Sequence, residues 1–184
     1  MSSFMRKSRK KLSLETLEEL ASEKPTVENL VVLADAYGEK QQYKKAVELY
    51  KRAINSSVAD DGEIRKKLAF ALFEQKEYSQ AKVELEAISK IRQGRLRPDE
   101  QLYLARTLDS LGDVKTATPH FEQVAGNYPS VESDYYYCQF LKKTGRESEI
   151  PHHVKETKKK YQEMAKRFRG ESSEWMKRVE REFR

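Results

Sequence analysis

The sequence predicts an all-α protein, a solenoid of antiparallel helical hairpins, on three observations. Three alanines, Ala46, Ala81 and Ala117, stand 35 and 36 residues apart, each within the same order of residue types. Around each of them apolar residues recur three and four positions apart, the period of an amphipathic helix. Glycine and proline are scarce, 7 and 5 among 184 residues, which favours long helices over tight β-turns.

The elements succeed one another along the chain. "LSLETLEELASE" opens with Ser13 as an expected N-cap, and Leu12 is placed to staple against Leu17. The first hairpin runs through Leu30, Leu33, Ala34 and Tyr37, turns at "GEKQQY", and continues through Tyr43, Ala46, Tyr50 and Ala53. The second has Leu68, Ala69 and Leu72, a turn at "FEQKEY", then Tyr78, Ala81, Leu85 and Ile88. The third has Leu104, Ala105, Leu108 and Gly112, then Ala117, Phe121 and Pro129. A weaker fourth has Tyr137, Cys138, Leu141 and Gly145, then Ile150 and Val154. Two helices of a hairpin can cross closely only where side chains are small, so Ala34, Ala69, Ala105 and Cys138 mark the crossings. The large residue four positions after each second-helix alanine fills the wedge where the helices diverge. A lone hairpin cannot bury its apolar face, whereas a stack can. Pro119 and Pro151 are expected in the first turn or so of a helix, where a missing N–H matters least. Beyond the hairpins, Val154, Tyr161, Met164 and Phe168 keep helical spacing, Gly170 is expected to end that helix, and Trp175, Val179 and Phe183 form the stripe of another. These last helices are expected to cap the stack, with Trp175 largely buried.

The pattern resembles the tetratricopeptide repeat family, whose Trp-x₂-Leu-Gly-x₂-Tyr, Ala-x₃-Phe and Pro positions are met by Leu30, Leu33, Ala34, Tyr37, Ala46 and Tyr50 in the first unit and by Leu104, Ala105, Leu108, Ala117, Phe121 and Pro129 in the third. Arg65 and Gln101 depart from it where a large apolar residue is usual, and Ile150 replaces the fourth alanine. The resemblance, to a bacterial-type member, implies a right-handed solenoid. Its expected layout is a basic arm over 1–12, a helix over 13–24, a repeat array over 27–157 with units near 27–61, 62–97, 98–130 and 131–157, and a basic helical cap over 158–184.

In that family the first helix of each hairpin lines a groove that holds a peptide or helix of a partner protein. The resemblance therefore places Val31, Asp35 and Glu39 on the groove in the first unit, and Lys66, Phe70 and Phe73 in the second. Leu102, Arg106 and Asp109 take these places in the third, and Tyr135, Gln139 and Lys142 in the fourth. Phe70, Phe73, Leu102 and Tyr135 are apolar where a solvated face would be polar, which marks a contact surface, either for a partner or for the chain's own tail. Capture of a terminal carboxylate by Lys and Asn is not expected, because Asp35 stands where Asn would help. The implied function is that of a protein-interaction scaffold.

Other chemistries find little support. His152 and His153 are adjacent and diverge on a helix, His120 stands alone, and no paired-cysteine, HExxH, phosphate-loop or nucleophile-elbow motif occurs. No metal, cofactor or catalytic residue is expected, and the chain is read as a non-enzyme. "DYYYCQF" cannot form a stacking platform, since successive helical residues point about 100° apart. The net charge of +6 hides an asymmetry. Residues 1–12 carry five basic groups and no acid, and residues 151–184 carry eleven basic against six acidic. The stretch between them holds 20 basic and 24 acidic groups. Binding of nucleic acid or an anionic membrane through the basic ends is thus the alternative to a protein partner. No apolar run approaches the ~20 residues of a membrane span. The N-terminus has no apolar segment behind its charges, so secretion is not expected. With one cysteine, Cys138, a reducing compartment and a cytoplasmic location are expected, peripheral membrane association being the alternative. Some bacterial repeat proteins carry a membrane segment before the first repeat, so residues 1–11 are either the stretch just after such a segment or a short free arm.

Overall fold

A computed structural model describes residues 12–57, 61–127, 130–164 and 169–183. The described residues form ten α-helices and one short 3₁₀ turn, with no strand. They divide into two compact units, Met1–Leu96 and Arg97–Arg184.

The first unit holds α1 (Leu14–Glu23), α2 (Val27–Glu39), α3 (Tyr43–Asn55), α4 (Gly62–Glu74) and α5 (Tyr78–Ile91). Each packs on the next: α1 on α2, α2 and α3 as one hairpin, α3 on α4, α4 and α5 as another. The second unit holds α6 (Pro98–Ser110), α7 (Val114–Asn127), α8 (Val131–Lys143), α9 (Ile150–Glu163) and α10 (Arg169–Glu182). There α6 and α7 pair, α7 meets α8, and both α9 and α10 pack on α8.

The repeat alanines do what their size allows. Ala34, Ala69 and Ala105 on the first helices and Ala46, Ala81 and Ala117 on the second are each 0 % exposed. Tyr50, Leu85 and Phe121, four residues after the second-helix alanines, are buried beside them. Phe121 stacks on Phe140 with ring centroids 4.6 Å apart, tying α7 to α8. The two polar departures are absorbed within their hairpins. Arg65 on α4 meets Glu84 on α5 at 2.6 Å. Gln101 on α6 donates to Gln123 Oε1 at 2.9 Å and lies 2.5 Å from His120 Nδ1, both on α7.

The four hairpin turns share one geometry. In each, the second residue past the helix has positive φ: Gln41 (58°), Lys76 (64°), Gly112 (79°) and Gly145 (74°). The next N–H donates back to the last turn of the helix, as in Gln42 N to Tyr37 O (2.9 Å) and Arg146 N to Leu141 O (2.8 Å). Gly112 and Gly145 adopt this left-handed conformation without penalty, whereas Gln41 and Lys76 hold it against their own Cβ. Several helix starts carry a side-chain cap, the one at Ser13 as expected. Ser13 Oγ accepts from Thr16 N at 3.1 Å, Thr26 Oγ1 from Asn29 N at 3.2 Å, and Ser130 Oγ from Ser133 N at 3.0 Å.

Three sequence expectations need correction. Pro119 lies in the second turn of α7 rather than the first. A proline there cannot supply the bond to the carbonyl of Lys115, and the adjacent Thr118 hydroxyl binds Val114 O at 2.8 Å. Gly170 does not end a helix but sits in the first turn of α10; the preceding helix stops at Glu163, with Met164 extended (ψ 133°). Arg169 closes that end, donating to Met164 O (2.9 Å) and Gln162 O (2.5 Å). Trp175 is only half-buried, while its neighbour Met176 takes the core position at 5 % exposure beside Val179 at 1 %. A 3.6-residue period fits 176 and 179 as well as 175 and 179, and docking favours the flexible side chain. The basic arm over 1–11, Pro129 and Phe168 lie outside the described residues.

Candidate interaction site

The first-helix residues named from the sequence divide into two sets. In the first unit, Val31, Asp35 and Glu39 fall on one stripe of α2 and line a groove of about 690 Å³. Its floor is aliphatic, from Leu14 and Leu17 of α1, Val27 and Val31 of α2, and Ile64 of α4. Its walls carry five carboxylates (Glu28, Asp35, Glu39, Asp61 and Glu63) against two ammonium groups, Lys40 and Lys67. Asp35 is fixed on both sides. Tyr50 Oη donates to its Oδ1 at 2.7 Å, and Lys67 Nζ reaches its two oxygens at 2.6 and 2.5 Å. The buried Tyr50 hydroxyl is pushed well above the ordinary tyrosine range, first by burial and then by the Asp35 carboxylate, so it remains a donor to that oxygen at any physiological pH. Asp61 caps α4 through Glu63 N (2.8 Å), and Glu63 pairs with Arg92 at 2.7 Å.

Lys66, Phe70 and Phe73 of α4 are not among the groove-lining residues. Phe73 is half-buried against Tyr78 of α5, with centroids 5.3 Å apart, because the hairpin turn brings these two rings together. Lys66 Nζ stands 6.0 Å from the Phe70 ring centroid and 3.6 Å from Glu63. The contribution of α4 comes instead from its first turns, through Glu63, Ile64 and Lys67. Sequence reasoning missed these and the α1 leucines, although the amphipathic "LSLETL" carried the signal.

In the second unit the corresponding face is covered by the chain itself. Tyr135 is 6 % exposed because α10 lies on it. Trp175 and Phe183 approach its ring at 5.4 and 5.8 Å, and its hydroxyl donates to Glu182 Oε2 at 2.9 Å. Gln139 Nε2 donates to Tyr135 Oη at 2.7 Å and lies 3.3 Å from the same carboxylate. Leu102 is also buried, at 5 %, so neither Leu102 nor Tyr135 presents the surface expected of it. Arg106 of α6 lays its guanidinium 3.8 Å from the centroid of Tyr136, whose ring also lies 5.4 Å from Trp175. Asp109 binds Lys143 Nζ at 2.7 Å, and Lys142 is exposed at the end of α8. The tyrosine run is thus structural: Tyr137 is core, and Tyr135 and Tyr136 receive α10.

Two buried polar groups complete this unit. Asp134 accepts from Thr157 Oγ1 of α9 at 2.8 Å, and burial raises its carboxyl pKa. Cys138, one turn further on α8, is 1 % exposed; burial, then the Asp134 carboxylate, pushes its thiol up to about 12, which keeps it protonated and unreactive. Among the described residues no group of three or more His, Cys, Asp or Glu is placed to hold a metal ion. No described helix is long and apolar enough to cross a membrane.

Stacked helical hairpins with small residues at each crossing define a helical repeat protein. Residues 38–105, well under half of the chain, match the family described as tetratricopeptide repeat. Its fold is shared by solved structures of low identity. A crystal structure of MamA is 18 % identical at TM-score 0.70, covering 82 % of this chain and 87 % of that one. MamA 41-end from Desulfovibrio magneticus RS-1 is 16 % identical at TM-score 0.71, covering 79 % and 82 %. A putative kinesin light chain of Podosopora anserina with TPR-like repeats is 19 % identical at TM-score 0.66, covering 79 % and 83 %. No curated protein matches the chain significantly in sequence. Such repeats generally form non-enzymatic scaffolds for protein–protein interaction.

Proposed function

We propose that the protein is an interaction scaffold whose partner-binding surface is the groove of the first unit, taking a peptide or helix of another protein. The observation that carries this is the groove itself, an aliphatic floor within acidic walls, with Val31, Asp35 and Glu39 on one stripe of α2. Apolar side chains of a bound segment would displace water from the floor, and the walls would select its charge. Asp35, held between Tyr50 and Lys67, is a positioned acceptor rather than a mobile charge. The second unit contributes rigidity, its own helix filling the face a partner would otherwise use. Binding of an anionic ligand gains no support from this geometry, since the carboxylates of the groove walls favour a cationic one.

The test is selection of peptides from a displayed library against the full chain. Enriched sequences should lose binding to the Val31→Lys and Glu39→Lys variants while the helical circular dichroism of each remains. Enriched binders that ignore both substitutions would contradict the assignment.

A further inference from the structure

We infer that His120 is an acid-sensitive latch between α6 and α7: neutral, it accepts a hydrogen bond from Gln101, and protonated, it repels that donor and loosens the hairpin. Three observations converge. His120 and Gln123, three positions apart on α7, share one face of the helix, and both meet Gln101 of α6. Gln101 Nε2 lies 2.5 Å from His120 Nδ1 and 2.9 Å from Gln123 Oε1. An amide nitrogen only donates, so Nδ1 is the acceptor and the ring proton sits on Nε2. Gln101 is itself buried, at 6 % exposure, so its amide has little water to turn to when the bond is lost.

An added proton goes to Nδ1, the one open lone pair of the ring, and sets N–H against N–H. The bond returns only if Gln101 turns its amide, which brings its oxygen against Gln123 Oε1 and forces Gln123 to turn as well. The acids of the packed helices are held elsewhere. On α6, Glu100 accepts from Arg97 N at 2.8 Å and Asp109 binds Lys143 at 2.7 Å. On α7, Glu122 meets Arg146 at 3.3 Å. On α8, Asp134 accepts from Thr157, and Glu132 lies near Arg106 and Arg178. Burial holds the imidazole below its ordinary value of 6.5, with no carboxylate opposing that shift. A folded pKa below the unfolded one means that the contribution of this group is whole above 6.5 and is lost as pH falls through the lowered folded value. The next residue, Phe121, stacks on Phe140 at 4.6 Å, so loosening at His120 bears directly on the seam between α7 and α8. The first unit contains no histidine and has no such latch.

The experiment follows urea unfolding of the full chain through Trp175, its single tryptophan, which lies in the second unit. Between pH 7.5 and 5.0 the unfolding constant of the unaltered chain should rise about threefold or more beyond that of His120→Asn, whose Oδ1 stands in for Nδ1 and does not titrate. His153→Phe, which removes the other imidazole lowered by burial, should keep this excess. In parallel, the ring nitrogen shifts of His120 by NMR should show Nδ1 unprotonated at pH 7.5, and the ring should titrate below 6.5. Three results would each overturn the inference: parallel pH profiles for the unaltered chain and His120→Asn, an Nδ1–H tautomer, or a His120 midpoint at or above 6.5. Should His120→Asn fail to fold, the tautomer and the midpoint in the unaltered chain decide the matter.

Discussion

The two units present corresponding helix faces and use them in opposite ways. In the first, α2 and α4 leave an aliphatic floor bounded by carboxylates. In the second, α8 carries tyrosines at the same register and α10 lies across them, sealed by Met176 and Val179 beneath and by the Tyr135–Glu182 hydrogen bond at the edge. The difference lies in side-chain size and position rather than in helix geometry. Large rings on α8 need covering, because exposed aromatic area is costly, and the chain supplies the cover within 26 residues of the end of α8. The smaller aliphatic groups of α2 leave a depression that a transient ligand can enter and leave. One repeat architecture therefore yields an open face and a covered face.

The largest expected way to break this contrast is Val179→Asp. Val179 is 1 % exposed, so the substitution forces a carboxylate into the α8–α10 seam at a cost of about 3 kcal/mol or more. A thermal melt should show a lower midpoint, and the released aromatic surface should drive association seen by size-exclusion chromatography; unchanged melting would mean α10 is not part of the second unit's core.

Tyr135→Phe is gentler. It removes the hydroxyl shared by Glu182 and Gln139, and denaturant unfolding should register a loss of about 1 kcal/mol. The same substitution should leave peptide binding in the first unit's groove unaltered.

Asp134 tests the buried polar link between α8 and α9. Burial raises its folded pKa above the unfolded value of 3.8, so the folded state holds the proton more tightly than the unfolded one. By linkage, the contribution of this group falls as pH rises from below 3.8 through the raised folded value. Asp134→Asn keeps an acceptor for Thr157 and removes the ionisation. Its stability should match or exceed that of the unaltered chain at pH 7, by up to about 1 kcal/mol, with a flatter profile on the acid side. An Asn variant much less stable at pH 7 would show that the carboxylate charge is needed.

Smallest in stability is Glu39→Lys, an exposed change on the groove wall, expected within about 0.5 kcal/mol of the unaltered chain. Its effect should appear in groove binding alone, which is what separates the first unit's face from the second's.

Much of the fold could be read from the chain because its determinants are local and repeated. Ala34, Ala69 and Ala105 recur at a near-constant spacing since each hairpin solves the same crossing problem, and Ser13 caps its helix through a residue three positions away. The groove was half legible. Val31, Asp35 and Glu39 share one helix stripe, but Leu14 and Ile64, which complete the floor, come from helices flanking α2 whose approach no single stripe specifies. Tyr135 reads as exposed from its own helix, and only the return of α10, 47 residues later, buries it. Trp175 and Met176 show the limit of periodicity most plainly. Two adjacent apolar residues both fit the stripe, yet Met176 is buried while Trp175 is half-buried against Tyr135 and Tyr136.

The most direct test of the contrast is amide hydrogen exchange on the full chain, read helix by helix. The account predicts that α10 (Arg169–Glu182) exchanges with the same protection as α8 (Val131–Lys143), since the two open together or not at all. An α10 that exchanges at the rate of an unpacked helix while α8 stays protected would contradict it. The tyrosine face of the second unit would then be open to a ligand as well.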